Sequence, residues 1–256
     1  MSTATLLTPA TQPAALPAAE KATAAPRFDM SGPIHKALRS FMCDTLVRIG
    51  RMDPTDTPDR DEALAALDTL LTFCAGHLTH ENDFVHAAIE ARQSGGAQRT
   101  AHDHVEHVAS IQALRAEAQA LRDAAPQGAV LLAHRLYHHL ALFVAENFQH
   151  MHVEETVNNA ALWALYTDAE LVEIHDRLVA SLHPAEHLLV ARWMVPAVAP
   201  QMREILMGQA KTQMPPEAFL GVVGLVRPHL DARGWERLAG AIGVPVQPLF
   251  PFPNQA

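Results

Sequence analysis

Two short segments of the sequence repeat a histidine and a glutamate at the same spacing. The first is His77-Leu-Thr-His-Glu81 and the second is His150-Met-His-Val-Glu154. On an α-helix, a separation of four residues corresponds to about 40° of rotation and about 6 Å of rise, so the imidazole and the carboxylate project from one face. Such a pair can bind one side of a metal ion. The repeat therefore predicts two elements of a metal site.

The apolar residues around each pair indicate which side of the helix is buried. The same spacing also joins His86 to Glu90 and His102 to Glu106, and a chain with 16 histidines can produce it by chance. His86 and His102 fall on the sides of their helices away from the apolar stripe, and His86 is predicted to face water. Apolar side chains lie in phase with the other two pairs: Leu70, Phe73, Phe84 and Ala88 around the first, and Leu136, Phe143, Val157 and Ala161 around the second.

Four long helices are predicted before the chain changes character. They cover about residues 31–50, 61–92, 99–123 and 130–162. The interruptions between them are Pro54 and Pro58, then Ser94-Gly-Gly96, then Pro126-Gln-Gly128. His35 lies on the inward face of the first helix. In the third helix, His104 and His107 both lie within about 60° of the centre of the apolar stripe. We predict His104 to join the site, whereas His107 stays open as a seventh ligand or as a group that orients a ligand.

This pattern predicts an all-α protein. Four consecutive long helices with short connections favour an up-down four-helix bundle over residues 29–163. A capping box, Thr167-Asp-Ala-Glu170, begins a C-terminal helical segment over residues 164–256. Residues 1–28 are rich in alanine, threonine and proline and are predicted to be a disordered tail.

The inward donors form a nitrogen-rich set that suits two metal ions. Four imidazoles and two carboxylates fit iron or manganese better than calcium, which prefers oxygen, or a structural zinc ion, which usually has four ligands. If both glutamates bridge and an oxo or hydroxo group joins the ions, about two of about 12 octahedral positions stay open for a small ligand. The predicted ligands are His35, His77, Glu81, His104, His150 and Glu154.

On these residues the chain resembles the hemerythrin-like, or HHE, cation-binding family. The resemblance covers about residues 33–162 and implies a non-haem di-iron centre, bridged by an oxo or hydroxo group, in a four-helix bundle. The oxygen-carrying members have a second histidine where this chain has Val108, and an aspartate where it has Glu155. The pattern is therefore closer to bacterial members linked to nitric oxide, oxidative stress, iron sensing or iron–sulfur repair.

Other classes of protein fit the sequence less well. The formal charge of −9 argues against an electrostatic interaction with nucleic acid or an anionic membrane, and no long uncharged apolar stretch predicts a membrane span. The Glu-x-x-His motif of ferritin-like sites is absent, and a zinc peptidase would need histidine where Phe84 stands. Two cysteines are too few for a disulfide framework, which favours a cytoplasmic protein.

These observations predict a cytoplasmic di-iron protein that senses, binds or buffers dioxygen, nitric oxide, peroxide or iron. The alternative is a di-iron enzyme that reduces peroxide or nitric oxide, or a protein that donates iron to iron–sulfur centres. The C-terminal helices provide a surface through which a protein partner could read the state of the metal site.

Overall fold

The computed structural model describes residues 27–246, and this part of the chain is helical with no β-strand. The prediction of an all-α protein is confirmed. The predicted tail falls almost wholly on residues outside the described range. The α-helices are α1 (Gly32–Arg51), α2 (Thr57–His80), α3 (Ala87–Arg92), α4 (Gln98–Arg122), α5 (Pro126–Val153), α6 (Asn159–Leu165), α7 (Asp168–Ser181), α8 (Pro184–Ala197), α9 (Pro200–Gln213), α10 (Pro216–Val226) and α11 (Ala232–Ile242).

Two of the long helices contain a π-helical segment. Helix α2 continues through π1 (Glu81–His86) into α3, and α5 continues through π2 (Glu154–Asn158) into α6. Each π segment begins at the glutamate of a His-x3-Glu pair. A π turn contains one more residue than an α turn and is frequently found at functional sites. The helix phase calculated with 3.6 residues per turn is therefore valid up to each glutamate and not beyond it.

The π segments explain two wrong predictions. His86 was expected to face water, but it is buried and its ring stacks on the ring of His104 with 4.6 Å between centroids. Val157 was expected to flank the second pair on the buried side, but its side chain is exposed. Both residues lie inside π segments, where each residue turns the helix through a smaller angle than in an α-helix.

Two of the prolines lie at helix starts rather than between helices. Pro58 and Pro126, which we assigned to interruptions, lie in the first turns of α2 and α5. Proline is tolerated there because its missing N–H would have no partner in the helix. Helix α1 also has a proline in its first turn, Pro33, and Asp29 Oδ1 accepts hydrogen bonds from the backbone N–H groups of Ser31 and Gly32.

The four long helices pack in a ring. Helix α1 packs against α2 and α5, and α4 packs against the same two helices. The apolar interior between them is closely filled by leucine and aromatic side chains. It contains Leu38, Phe41, Leu64, Leu67, Leu71, Leu114, Leu121, Leu136, Leu140 and Phe143.

The C-terminal helices combine a core of their own with a contact to α1. Trp235 and Val226 belong to a separate apolar cluster formed by α8 to α11. Helix α8 packs along α1, and the ring of Trp193 stacks on Phe41 with centroids 4.1 Å apart. The predicted capping box between Thr167 and Glu170 is present at the start of α7. The segment after residue 164 is therefore attached to the four long helices through α8 and through α7, which packs against π1.

One helix within residues 27–246, Pro126–Leu165, is long and apolar enough to cross a membrane by length and composition. A core helix of a soluble protein can meet the same criterion, so the finding is a weak indication. This helix packs against α1 and α4, and it carries His150 and Glu154 with their side chains buried. The absence of a membrane role stays a prediction.

We expect Leu67→Ala to lower the free energy of unfolding of the metal-free protein by about 2–5 kcal/mol, because it opens a cavity in the ring of helices. Leu67 is completely buried, whereas Leu131 on α5 is exposed. Leu131→Ala is the matched control and should change stability by less than about 0.5 kcal/mol. Urea denaturation followed by circular dichroism measures both, and equal losses would contradict this packing.

Candidate metal centre

The six predicted ligands come from four long helices and meet at one place. His35 lies in the first turn of α1, His77 near the end of α2, His104 in α4 and His150 near the end of α5. Glu81 and Glu154 are the first residues of π1 and π2. Five of the six side chains are buried, and His77 is half-buried. The structure therefore brings together every residue in the predicted set.

The first half of the site is formed by His35 and His77 with both glutamates. His77 Nε2 lies 3.1 Å from Glu81 Oε1. His35 Nε2 lies 3.4 Å from the same oxygen and 3.5 Å from Glu154 Oε2. One donor atom from each of these four residues lies within 4.8 Å of the others, so the group could hold a metal ion.

The second half is formed by His104 and His150 with the same two glutamates. His104 Nε2 lies 3.5 Å from Glu81 Oε2 and 3.6 Å from Glu154 Oε1. His150 Nε2 lies 3.3 Å from Glu154 Oε1 and 3.0 Å from His104 Nε2. This group of four also lies within 4.8 Å. Each glutamate therefore presents one carboxylate oxygen to each half.

Several polar atoms at the centre of the site lack a hydrogen-bond partner within the described residues. Glu81 Oε2, both carboxylate oxygens of Glu154 and His77 Nε2 are buried and accept or donate no hydrogen bond within the described residues. Buried polar groups without a partner are rare and costly. A metal ion between these atoms would satisfy all of them, so the donor set fits a cation.

The imidazole rings are oriented from outside by hydrogen bonds at Nδ1. His104 Nδ1 lies 2.8 Å from Asn82 Oδ1, and His150 Nδ1 lies 3.2 Å from Asp103 Oδ2. When Nδ1 carries the proton and donates it to these oxygens, the Nε2 lone pair points to the centre. Such partners fix the tautomer and the orientation of metal-binding histidines.

His35 has the most extensive support. Its Nδ1 lies 3.1 Å from Glu155 Oε1, and Arg39 donates two hydrogen bonds, of 2.5 and 2.9 Å, to the two oxygens of Glu155. Burial raises the pKa of the Glu155 carboxyl, but His35 and Arg39 outweigh this effect and lower it to about 2. Glu155 is therefore a fixed anion that holds the His35 ring.

The residues that orient the rings were missed in the sequence, with one partial exception. Asn82 directly follows Glu81, and Asp103 directly precedes His104, so adjacency to a predicted ligand was the available signal. Glu155 was noticed as the residue after Glu154, but its pairing with His35 depends on the packing of α1 against the end of α5. No local pattern encodes that contact.

Two further histidines lie against the His104 and His150 half. The His107 ring contacts the His150 ring edge to face, with centroids 4.9 Å apart, and its buried Nδ1 has no hydrogen-bond partner among residues 27–246. It belongs to neither donor group. Burial, followed by the nearby His150 and His104, lowers the pKa of His107 to about 4, so its side chain is neutral at pH 7. The second of these histidines is His86, whose Nε2 shares a hydrogen bond of 3.0 Å with Thr100 Oγ1.

The pair of His102 and Glu106 on α4 lies on the surface, as its position away from the apolar stripe predicts. His102 Nε2 lies 3.5 Å from Glu106 Oε1, and both side chains are largely exposed. This pair therefore has the same spacing as the buried pairs but lies outside the interior.

The two carboxylates change the protonation of the histidines around them. Burial lowers the pKa of His35 and of His104, but the contacts with glutamates outweigh burial and raise each pKa to about 9. Burial raises the pKa of Glu81, yet the adjacent His77, His104 and His35 hold it well below its usual range. In the metal-free protein at pH 7, protonated imidazoles therefore compensate the buried carboxylates.

Comparisons of the chain with protein families, with characterised proteins and with solved structures found no match. The functional argument therefore depends on the residues and their geometry.

We expect metal binding at pH 7.5 to release about two protons or more per chain, because His35 and His104 must lose a proton to become ligands and, against the effect of burial, the contact with Glu154 raises the pKa of His150 as well. The number of protons released should fall as the pH rises through about 9, the pKa of both histidines, and the apparent metal affinity should rise over the same range.

Without metal, the stability contributed by these two groups is complete below about pH 6.5 and is lost as the pH rises to about 9. Calorimetric titration in buffers of different ionisation enthalpy counts the protons, and binding without proton release at pH 7.5 would contradict the assignment.

Proposed function

We propose that this protein binds two iron ions and uses them to sense, bind or buffer a small diatomic molecule or peroxide, or iron itself. The observation that supports this proposal is that two groups of four donors share both Glu81 and Glu154. Shared carboxylates are the usual way in which a protein holds two ions side by side in a helical bundle. His35 and His77 would complete one ion's ligands, and His104 and His150 the other's.

The packing of the helices supports the fold that we propose for this region. The ring of α1, α2, α4 and α5, joined by connections of a few residues, is expected for an up-down four-helix bundle. The six predicted ligands carried by these helices are also the residues on which the sequence resembles hemerythrin-like proteins. We therefore propose a hemerythrin-like bundle with additional C-terminal helices.

The chemistry of the donors supports iron. Imidazole and carboxylate ligands without thiolate suit iron and manganese, and calcium would need more oxygen donors than the site has. When bound, two iron ions supply a redox-active, Lewis-acidic centre with coordination positions for a small ligand. Cys74, which is buried in the same interior, belongs to neither donor group.

Burial of the site supports a small ligand rather than an organic substrate. The side chains of Glu81, His104 and Glu154 are at least 95% buried. A cavity of about 620 Å³ is lined by Leu46, Val130 and other residues away from the six donors. His107 contacts the His150 ring, and its buried Nδ1 has no hydrogen-bond partner within the described residues, so its neutral side chain is a candidate for a hydrogen bond with a small polar ligand. The cytoplasmic location stays a prediction.

The metal content of the protein tests the proposal. Elemental analysis of protein purified without added metal should find about two iron ions per chain, as two octahedral sites require. Glu154→Gln removes one shared charge with little change in shape, and we expect it to lose at least half of the iron. Glu106→Gln, which alters the exposed pair on α4, is the matched control and should keep both ions.

A protein that is colourless and contains no stoichiometric metal would refute the proposal. Two manganese ions per chain would keep the site and exclude iron as its natural occupant. Equal losses in Glu154→Gln and Glu106→Gln would show that the six side chains do not bind the metal.

A further inference from the structure

His77 marks the side from which the centre is most accessible. Its side chain is 12% exposed, whereas the other five members of the donor set are at most 5% exposed. A cation that enters the centre without unfolding the helices therefore meets His77 first.

Two side chains, those of His80 and Glu186, extend the route of such a cation from His77 towards the surface. His80 lies three residues further along α2, so it is a neighbour of His77 on the helix surface. His80 Nε2 lies 3.6 Å from Glu186 Oε1 and makes no hydrogen bond in the part of the chain that the structure describes, although the atom is buried. Exposure increases outward, from 20% for the His80 side chain to 39% for Glu186. The path consists of an imidazole and a carboxylate, which are ligands for iron and manganese.

Glu186 is held at this position by its own helix and by a glycine on α2. Its Oε2 accepts a hydrogen bond of 2.8 Å from the backbone N–H of His183, which leaves Oε1 facing His80. A Cβ at Gly76 would lie 3.1 Å from Glu186 Oε1, so the glycine permits this close approach. The C-terminal helices therefore deliver a carboxylate to the least buried side of the centre.

We propose that Glu186 and His80 form an outer capture site for a divalent first-row metal ion, which then passes to His77 and Glu81. The inference rests on the proposed metal centre and adds the route by which it is filled. A carboxylate at the opening raises the local concentration of cations, and such focusing changes association rates by about 10-fold or more. The site also assigns a role to α8, which lies outside the ring of long helices.

The rate at which ferrous iron loads the metal-free, full-length protein under anaerobic conditions tests this route. Glu186→Gln removes the charge and keeps an oxygen that accepts the hydrogen bond from His183. We expect its initial loading rate to fall about 3–10-fold, with the same final iron content as the unaltered protein. Added salt should slow the unaltered protein more than the variant, because salt screens the attraction that the variant lacks. His80→Gln, which removes the imidazole, should also slow loading.

Glu170→Gln is the matched control. Glu170 occupies the same capping position at the start of α7, but its carboxylate pairs with Arg92 instead of facing the centre. This variant should load iron at the unaltered rate. Equal loading rates in Glu186→Gln and the unaltered protein would overturn the route, and so would a lower final iron content, which would make Glu186 a structural support. An unaltered protein that binds no iron would instead refute the centre itself.

Discussion

Two carboxylates face each other inside an apolar helical interior, and the rest of the structure around them compensates their charge. Removing an ionised carboxylate from water costs several kcal/mol unless an opposite charge or a metal ion replaces the lost hydration. Glu81 and Glu154 are buried and surrounded by four imidazoles. Without metal, protonated histidines provide the positive charge, and their raised pKa values follow from that role. On binding a metal ion, the same nitrogens would become ligands and the protons would leave.

The backbone places these two carboxylates by the same means in both halves of the fold. Each glutamate follows its histidine by one α-helical turn and begins a π segment. The pairs lie on α2 and α5, which do not follow one another in the chain, and α1 and α4 pack between them and supply His35 and His104. The repeat in sequence thus becomes a nearly symmetric arrangement, in which each half of the site has two histidines and shares both carboxylates.

The sequence was informative where the chemistry depends on helical spacing. The four-residue separation and the apolar phase identified His77, Glu81, His150 and Glu154, and the lone inward histidine of the first helix was found in the same way. Beyond each glutamate the reasoning failed, because the 3.6-residue period does not hold through a π segment, and His86 was placed on the wrong side. Glu186 could not be predicted to lie beside His80, since that contact depends on how α8 packs against the long helices.

The hydrogen bonds that orient the histidines of the predicted set could likewise be predicted only in part from the sequence. Asn82 and Asp103 are adjacent in sequence to predicted ligands, yet adjacent residues on a helix point about 100° apart, so their role follows from the neighbouring helix that each one reaches. They bond to rings on α4 and α5. Such contacts need the tertiary packing, which no spacing rule contains.

The most direct test of the central claim is an anomalous difference map, measured at the iron absorption edge, from crystals of the iron-loaded protein. The account predicts two peaks, one among His35, His77 and the two glutamates and the other among His104, His150 and the same glutamates. A single peak, or peaks away from Glu81 and Glu154, would contradict the claim that these carboxylates are shared by two ions.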